Sequence, residues 1–417
     1  MLDCLLNEAQ LGYREEVREF VRSIPRDLIL AMDREEVRFP REFLREAGSR
    51  HLLGARHPER WGGRGMNWVT TCMAAEETGV LSYILACIFG TGPDLVCDAI
   101  VQHGTDEQRA RWVPPVLAGE MCAAECLTEP RGGSDFFGST TFAEHRGDHF
   151  ILNGQKRFIV GAEGADYFLV YARTDPDPNA HPHHRLTCFI VERGPGVEVE
   201  YLYGLMGCRG GGTGRLVFRD VVVPTENALG GVGGAYPVFN TMMIPERLGT
   251  AAMTIGAARP ALEIATAYTT RRKAFGTTIN HFEGVSFQVA EAAMLLDAAR
   301  AMVHTTAQAV DRGADPALVR RLVSETKKFV ADSCQKVAHN SMQVVGGIGY
   351  TNVFSIERIV RDLRLASIWT GTSEIMSTII AHEWYREYCA STATGRQERD
   401  SEADAENAFA PGEKIYE

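Results

Sequence analysis

Two kinds of hydrophobic spacing occur in this chain, and their order along it narrows the fold most. Residues 1 to about 122 space apolar residues at three and four, as in REEVREFVRSI and DEQRARWVPPVLAG, which is a helical period. HPERWGGRGMN breaks that pattern as a turn. From about 123 the runs become short and rich in Val, Ile, Phe and Tyr: HFILNGQKRFIV, YFLVYART, LTCFIVER and RLVFRDVVVP. Asn-Gly, Gly-Asp and Pro-rich loops separate them, which predicts an antiparallel β region. Near Gly233 the helical period returns and continues to about 390. The chain therefore reads as α+β, with a helical module over 1–122, a β module over 123–233 and a second helical module over 234–390. The polar, acidic stretch 391–417 reads as a disordered or loosely docked tail. A sheet inserted between two helical modules predicts a site at their junction, where clefts form.

Composition removes several classes of function. With 417 residues and 45% hydrophobic content, the chain reads as a globular protein of two or three domains. A net charge of -11 argues against a broad nucleic-acid footprint, though a local anion site is still open to it. No apolar run is read as long enough to span a membrane, and MLDCLLNEAQLGYREEV reads as a first helix rather than a signal peptide. The ten cysteines are scattered without a CxxC pair, so a reduced, cytoplasmic compartment is expected. His181, His183 and His184 lie in DPDPNAHPHHR; a solvated hairpin loop is preferred there over a metal site.

Eight short motifs follow one another in the chain: LTEPRGGSD (127–135), LNGQK (152–156), MGCR (206–209), VPTEN (223–227) with Leu229-Gly230, RKAFG (272–276), QVVGGIGY (343–350), ERIVRD (357–362) and GTSEI (371–375). Their order and spacing resemble the acyl-CoA dehydrogenase family over residues 1 to about 388. The resemblance implies an N-terminal helical domain, a barrel-like β domain and a C-terminal four-helix bundle. It also implies FAD, a homotetramer or homodimer, an acyl-CoA substrate, and electron-transferring flavoprotein as acceptor.

The resemblance also assigns residues. It places Leu127 and Thr128 at the flavin edge, and Ser134 near cofactor or thioester. Phe158 takes the stacking position, and Val160 the position facing N5, where the family usually has a hydroxyl; valine cannot hydrogen-bond there. Arg272 and Phe275 match the pair that reaches a neighbouring subunit's FAD, and Arg suits a diphosphate. Gln343, Gly346 and Gly347 match a backbone approach to the diphosphate or ribose. Thr372 and Glu374 match a helix start against FAD. Glu283 departs from the usual Gln and is expected to turn to a ribose hydroxyl or to Arg272.

The catalytic base is the largest departure. The reaction removes an α-proton with a carboxylate while a β-hydride goes to the flavin. The usual carboxylate directly precedes the Gly371-Thr372 equivalent, and here that residue is Thr370. A minority branch, which includes isovaleryl-CoA dehydrogenase, carries the carboxylate before an arginine on another helix, and this chain has Pro245-Glu246-Arg247 there. The resemblance thus implies Glu246 as base, Thr370 as a backbone donor to the thioester carbonyl, and Arg247, Trp369 and Gly371 beside the substrate. Pro245 suits a first helical turn, so Glu246 is expected at a helix start, where the dipole favours its charge while burial against substrate raises its pKa, and Arg247 is expected to hold that start through a carboxylate. Pro260 should kink a helix or displace a hydrogen bond. The relocated base leans toward a branched or cyclic acyl group. Other readings stay open: an oxidase, a dehydrogenase acting on a carrier-protein-bound acyl group, or a non-catalytic subunit of a mixed complex.

Overall fold

The computed structural model describes residues 6–175, 177 and 181–393; the tail beyond 393 lies outside the described residues. The chain opens with α1 (Glu8–Ser23), α2 (Arg26–Asp33), α3 (Arg41–Ser49) and α4 (Trp68–Gly79), followed by α5 (Tyr83–Gly90), α6 (Cys97–His103) and α7 (Asp106–Leu117). Helix α1 starts at a capping box between Asn7 and Gln10 and buries Tyr13, Val17 and Phe20 along one stripe. The expected turn at HPERWGGRGMN lies between α3 and α4 and holds one short 3-10 turn, Glu59–Trp61.

One sequence expectation is corrected here. Tyr83–His103 forms a continuous helical run of 21 residues with mean hydropathy 1.7, long and apolar enough to cross a membrane. In this fold 72% of that window is buried inside the protein, as in a core helix. Between α5 and α6 the run widens into a π segment, Thr91–Val96. Pro93 has no N–H to donate, so the hydrogen-bond register slips there.

The middle of the chain supplies β1 (Ala123–Cys126), β2 (Phe142–Arg146), β3 (His149–Ile159), β4 (Tyr167–Arg173), β5 (Leu186–Glu192), β6 (Val197–Leu202), β7 (Gly214–Pro224) and β8 (Ala228–Leu229). They pair in the order β6-β7-β3-β2-β4-β5-β8, with β1 also on β4. The sheet is not wholly antiparallel: β1 runs parallel to β4 with Ala123 opposite Tyr167, and β2 meets β4 in parallel at Phe142 and Arg173. β1 enters from the helical region and leaves through a long loop, so no hairpin fixes its direction. Asn153-Gly154, expected to separate strands, lies within β3 at a bulge. A side chain at Gly154 would strike Thr141, and its φ of 149° suits glycine. Gly147-Asp148 makes the turn instead.

The C-terminal half holds α8 (Ala235–Thr269), a short hairpin of β9 (Lys273–Ala274) and β10 (Thr277–Thr278), then α9 (Glu283–Asp311), α10 (Pro316–Val345), α11 (Ile356–Leu363) and α12 (Ser373–Ala393). Helix α8 touches both other regions. Val238 and Met242 pack with Tyr167, Leu169 and Tyr171 of the sheet. Further along, Gly256 meets Gly79 of α4 so closely that an added Cβ at Gly256 would lie 2.0 Å from the Glu76 carbonyl oxygen. Beside that contact Arg300 donates to Glu76 at 2.9 Å and Arg259 to Glu77 at 2.9 Å, tying α9 and α8 to α4.

Gly256→Ala is expected to destabilise the protein by about 1–3 kcal/mol, the cost of overpacking. The same change in an open helix gains about 1 kcal/mol. Denaturant unfolding decides between them; an unchanged or raised midpoint would show that α4 and α8 have room to part.

Candidate active site

Helix α8 begins at Ala235, so Glu246 lies about three turns inside it and not at its start. Pro245 is buried within the helix, and Pro260 is a second proline inside the same helix. The expected dipole stabilisation of Glu246 therefore does not apply, because that effect fades within the first turn. Burial governs the carboxyl instead. Its Oε2 is enclosed with no hydrogen-bond partner, and its pKa is pushed up to about 7, while Arg247 and Lys327 pull the other way. Arg247 does not clamp a helix start either. It is buried in the helix interior, and its Nη1 donates to Ser324 Oγ of α10 at 3.4 Å.

The segment before α12 meets the same place. Thr370 and Gly371 both take positive φ, 54° and 88°, a bend that glycine adopts at no steric cost. Lys327 of α10, fully buried, donates from Nζ to the Gly371 carbonyl at 2.6 Å. Burial lowers its pKa to about 8, and Glu246 is the largest opposing influence. Glu246, Arg247, Lys327 and Gly371 thus converge from α8, α10 and the loop. Thr370 Oγ1 is buried without a partner. Thr372 Oγ1 caps α12, accepting from the Ile375 N–H at 3.2 Å. Trp369 donates from Nε1 to the Tyr83 hydroxyl at 3.1 Å and packs 5.2 Å from its ring, so it is held by the N-terminal core.

A second group of candidates comes from the sheet and the loop after β1. Leu127 and Thr128 begin the loop after β1, and the Thr128 carbonyl accepts the Arg157 N–H of β3 at 2.8 Å. A buried pair holds this loop: Lys156 donates to Glu129 at 2.7 Å and to the Leu127 carbonyl at 3.2 Å. Glu129 also accepts from Thr140 and Thr141, and these contacts outweigh burial to hold its pKa near 2. Ser134 is exposed at the loop tip. A register shift between Lys156 and Ile159 turns Phe158 outward with φ 58°. Its ring is 48% exposed, with Tyr203 4.6 Å away and the Arg157 guanidinium at 4.9 Å. Val160 follows, half-buried. An open flat ring beside a loop that presents backbone groups fits one face and one edge of a flavin.

The remaining candidates lie elsewhere on the chain. From Glu246, α8 continues about 35 Å to Thr269, beyond which Arg272 and Phe275 occupy the exposed hairpin. Phe275 is 95% exposed. Gln343, Gly346 and Gly347 lie exposed at the end of α10. Tyr268 and Phe354 meet at 6.0 Å, which puts this turn and the end of α8 at one end of the bundle. Glu283 opens α9 exposed, and Glu374 is exposed in the first turn of α12.

Sequence reading overlooked Lys327 and Glu125. Lys327 falls on the buried stripe of α10 with Val323 and Val330, and a lysine at such a position is a readable anomaly. Glu125 interrupts the small apolar strand AAEC; its Oε1 is enclosed and unpartnered, and burial followed by the charge of Glu246 raises its pKa well above the usual range. Among the described residues the eight cysteines from Cys72 to Cys334 are free thiols, and no cluster of three or more metal-ligating side chains forms. His183 stacks on Tyr236 at 3.8 Å in the β4–β5 connection.

Family comparisons match the whole of this architecture. The N-terminal, middle and C-terminal domains of acyl-CoA dehydrogenase match residues 7–120, 124–221 and 234–384. The short-chain-specific acyl-CoA dehydrogenase of Clostridium acetobutylicum is 31% identical over 92% of this chain and 100% of its own length. The Caffeyl-CoA reductase-Etf complex subunit CarC of Acetobacterium woodii is 30% identical over 88% of this chain and 98% of its own. The structure of butyryl-CoA dehydrogenase from Megasphaera elsdenii superposes with a TM-score of 0.86 at 28% identity, covering 91% of this chain and 99% of that one. The chain, with three consecutive domain matches and a relative 31% identical over 92% of its length, belongs to the acyl-CoA dehydrogenase family of FAD-dependent oxidoreductases.

Proposed function

We propose that this protein dehydrogenates an acyl-CoA at its α and β carbons, with Glu246 as the base that takes the α-proton. The observation that carries this reading is the enclosed, unpartnered Oε2 of Glu246 beside two buried cations. Bound FAD supplies the hydride acceptor. Lys327 and Arg247 keep enough positive charge near Glu246 for its carboxylate form to persist despite burial. The left-handed bend at Thr370 and Gly371, pinned by Lys327, fixes the backbone that would donate to the thioester carbonyl. Leu127, Thr128, Ser134, Phe158 and Val160 would hold the flavin ring, with Thr372 and Glu374 opening a helix toward the cofactor.

Arg272, Phe275, Gln343, Gly346 and Gly347 would serve the FAD of a second copy. The support is distance: about 35 Å of helix separates Glu246 from their end of the bundle, more than one extended dinucleotide spans. Exposed Phe275, Tyr350 and Tyr385 support a homo-oligomer. An electron-transferring flavoprotein is the proposed acceptor, in line with the relative that belongs to an Etf complex. Relatives named for different acyl groups are similar to this chain at 31% and 30%, so identity does not select among substrates.

Glu246→Gln is expected to bind FAD normally and to slow anaerobic flavin bleaching by an acyl-CoA panel about 10²- to 10⁴-fold. Bleaching at the wild-type rate would remove Glu246 from the base role. In the wild type, the base must be deprotonated to act, so the bleaching rate should rise with pH through about 7 and then level off. Lys327 lowers the Glu246 pKa, so Lys327→Met should move that limb to higher pH. A limb that stays in place, read by stopped-flow absorbance, would show that Lys327 does not act on the base.

A further inference from the structure

Glu125 has no task in the transfer of a proton to Glu246 and a hydride to the flavin. Its neighbours on β1, Ala124 and Cys126, point into the barrel core, while Ala123 belongs to the opposite face with Leu169 and Tyr171. Strand alternation puts Glu125 on that same opposite face, opposite Leu169 in register. This face packs on Val238 and Met242 of α8, and Glu246 lies one helical turn beyond Met242. Two carboxyls therefore approach one another from facing elements, each with one enclosed, unpartnered oxygen.

Among the described residues no group hydrogen-bonds the enclosed Oε1 of Glu125. The cation that acts on it, Lys156, is committed to Glu129 and to the Leu127 carbonyl. The other groups near it are Tyr171 on β4, Cys188 on β5, Cys126 on β1 and Glu246 on α8. The Tyr171 hydroxyl donates to the sulfur of Met242 at 2.9 Å, so it is occupied. An apolar side chain of similar volume would fill this place without the desolvation cost of a second carboxyl next to the base. A buried acid that the fold leaves unpaired beside the proposed base fits a partner that arrives with the substrate.

We infer that Glu125 is a specificity-determining residue that selects acyl thioesters carrying a cationic nitrogen a few bonds from the carbons being dehydrogenated. The inference rests on the proposed placement of Glu246 at the α-carbon. A cation held between the two carboxyls pairs with both, and it favours the ionised form that Glu246 needs. The chemistry is otherwise unchanged: Glu246 takes the α-proton, oxidised FAD when bound would accept the β-hydride as a pair of electrons and a proton, and a Cα=Cβ bond forms.

A matched pair of probes isolates the charge: 4-(trimethylammonio)butanoyl-CoA and its neutral isostere 5,5-dimethylhexanoyl-CoA. Anaerobic stopped-flow bleaching of the FAD-loaded enzyme gives the dissociation constant and the reduction rate of each separately. The cationic thioester should bind about tenfold tighter or better, a difference of about 1.4 kcal/mol. Glu125→Gln should erase that ratio, and Glu125→Asp should keep part of it. Equal or tighter binding of the neutral probe to the wild type overturns the inference without recourse to any variant, as does a ratio that survives Glu125→Gln. If the cationic probe binds preferentially through Glu125 but neither probe bleaches the flavin, the base assignment falls and this inference stands.

Discussion

Helix α8 is the constraint on which the other parts depend. It is the element that packs on the sheet through Val238 and Met242 and on the first helices through Gly256 and Gly79. Both contacts are rigid, one because large apolar side chains fill it and the other because two backbones touch. Glu246 lies between them on a single helix, so its height relative to sheet and bundle has little freedom. A carboxylate carried on a loop would not be fixed in this way. Placing a base on such a helix costs something in return. Its neutral form is favoured by burial, so folding is opposed by ionisation as pH rises from the ordinary glutamate range to about 7.

Charge is divided unevenly across this centre. On the sheet side, Lys156 and Glu129 neutralise each other and fasten the loop that begins at Leu127. That pair is fully satisfied and serves position. On the α8 side, Arg247 and Lys327 act on Glu246 through their charge while its Oε2 accepts no hydrogen bond, and Glu125 stands opposite with no cation of its own. Buried polar groups in folded proteins are ordinarily paired, and these two carboxyls are exceptions that the proposed ligand would complete.

Much of the architecture could be read in the sequence, because periods of 3.6 and 2 are imposed by burial itself and survive in any context. The order of helix, sheet and helix follows from that. What escaped were places where one local rule yields to a contact from afar. Asn153-Gly154 has turn chemistry, yet Thr141 packed against Gly154 makes it a bulge inside β3. Pro245 has helix-start chemistry, yet the apolar stripe of Val238 and Met242 extends the helix ahead of it. Tyr83–His103 passes as a membrane span by composition because a core helix and a spanning helix differ only in what surrounds them. Glu125 and Lys327 carried a signal of another kind, a charge on a stripe that should be apolar, and the amino-acid sequence alone displays it.

On the proposed assignment, Lys327 also bears on why the base would stand on α8. It donates to the Gly371 carbonyl, next to the position where the family usually has its carboxylate, and its charge acts on Glu246 as well. A carboxylate at either position would lie within reach of this one cation. Carboxylates at both would share it, and like charges in a buried site cannot both ionise near neutral pH. On the proposed assignment, the loss of an acid at Thr370 and its presence at Glu246 are two sides of one electrostatic condition. The unpaired Thr370 Oγ1 fits that view, since a hydroxyl there adds no charge to compete with Glu246. The place of the base is then set less by the loop before α12 than by the buried lysine that both positions share.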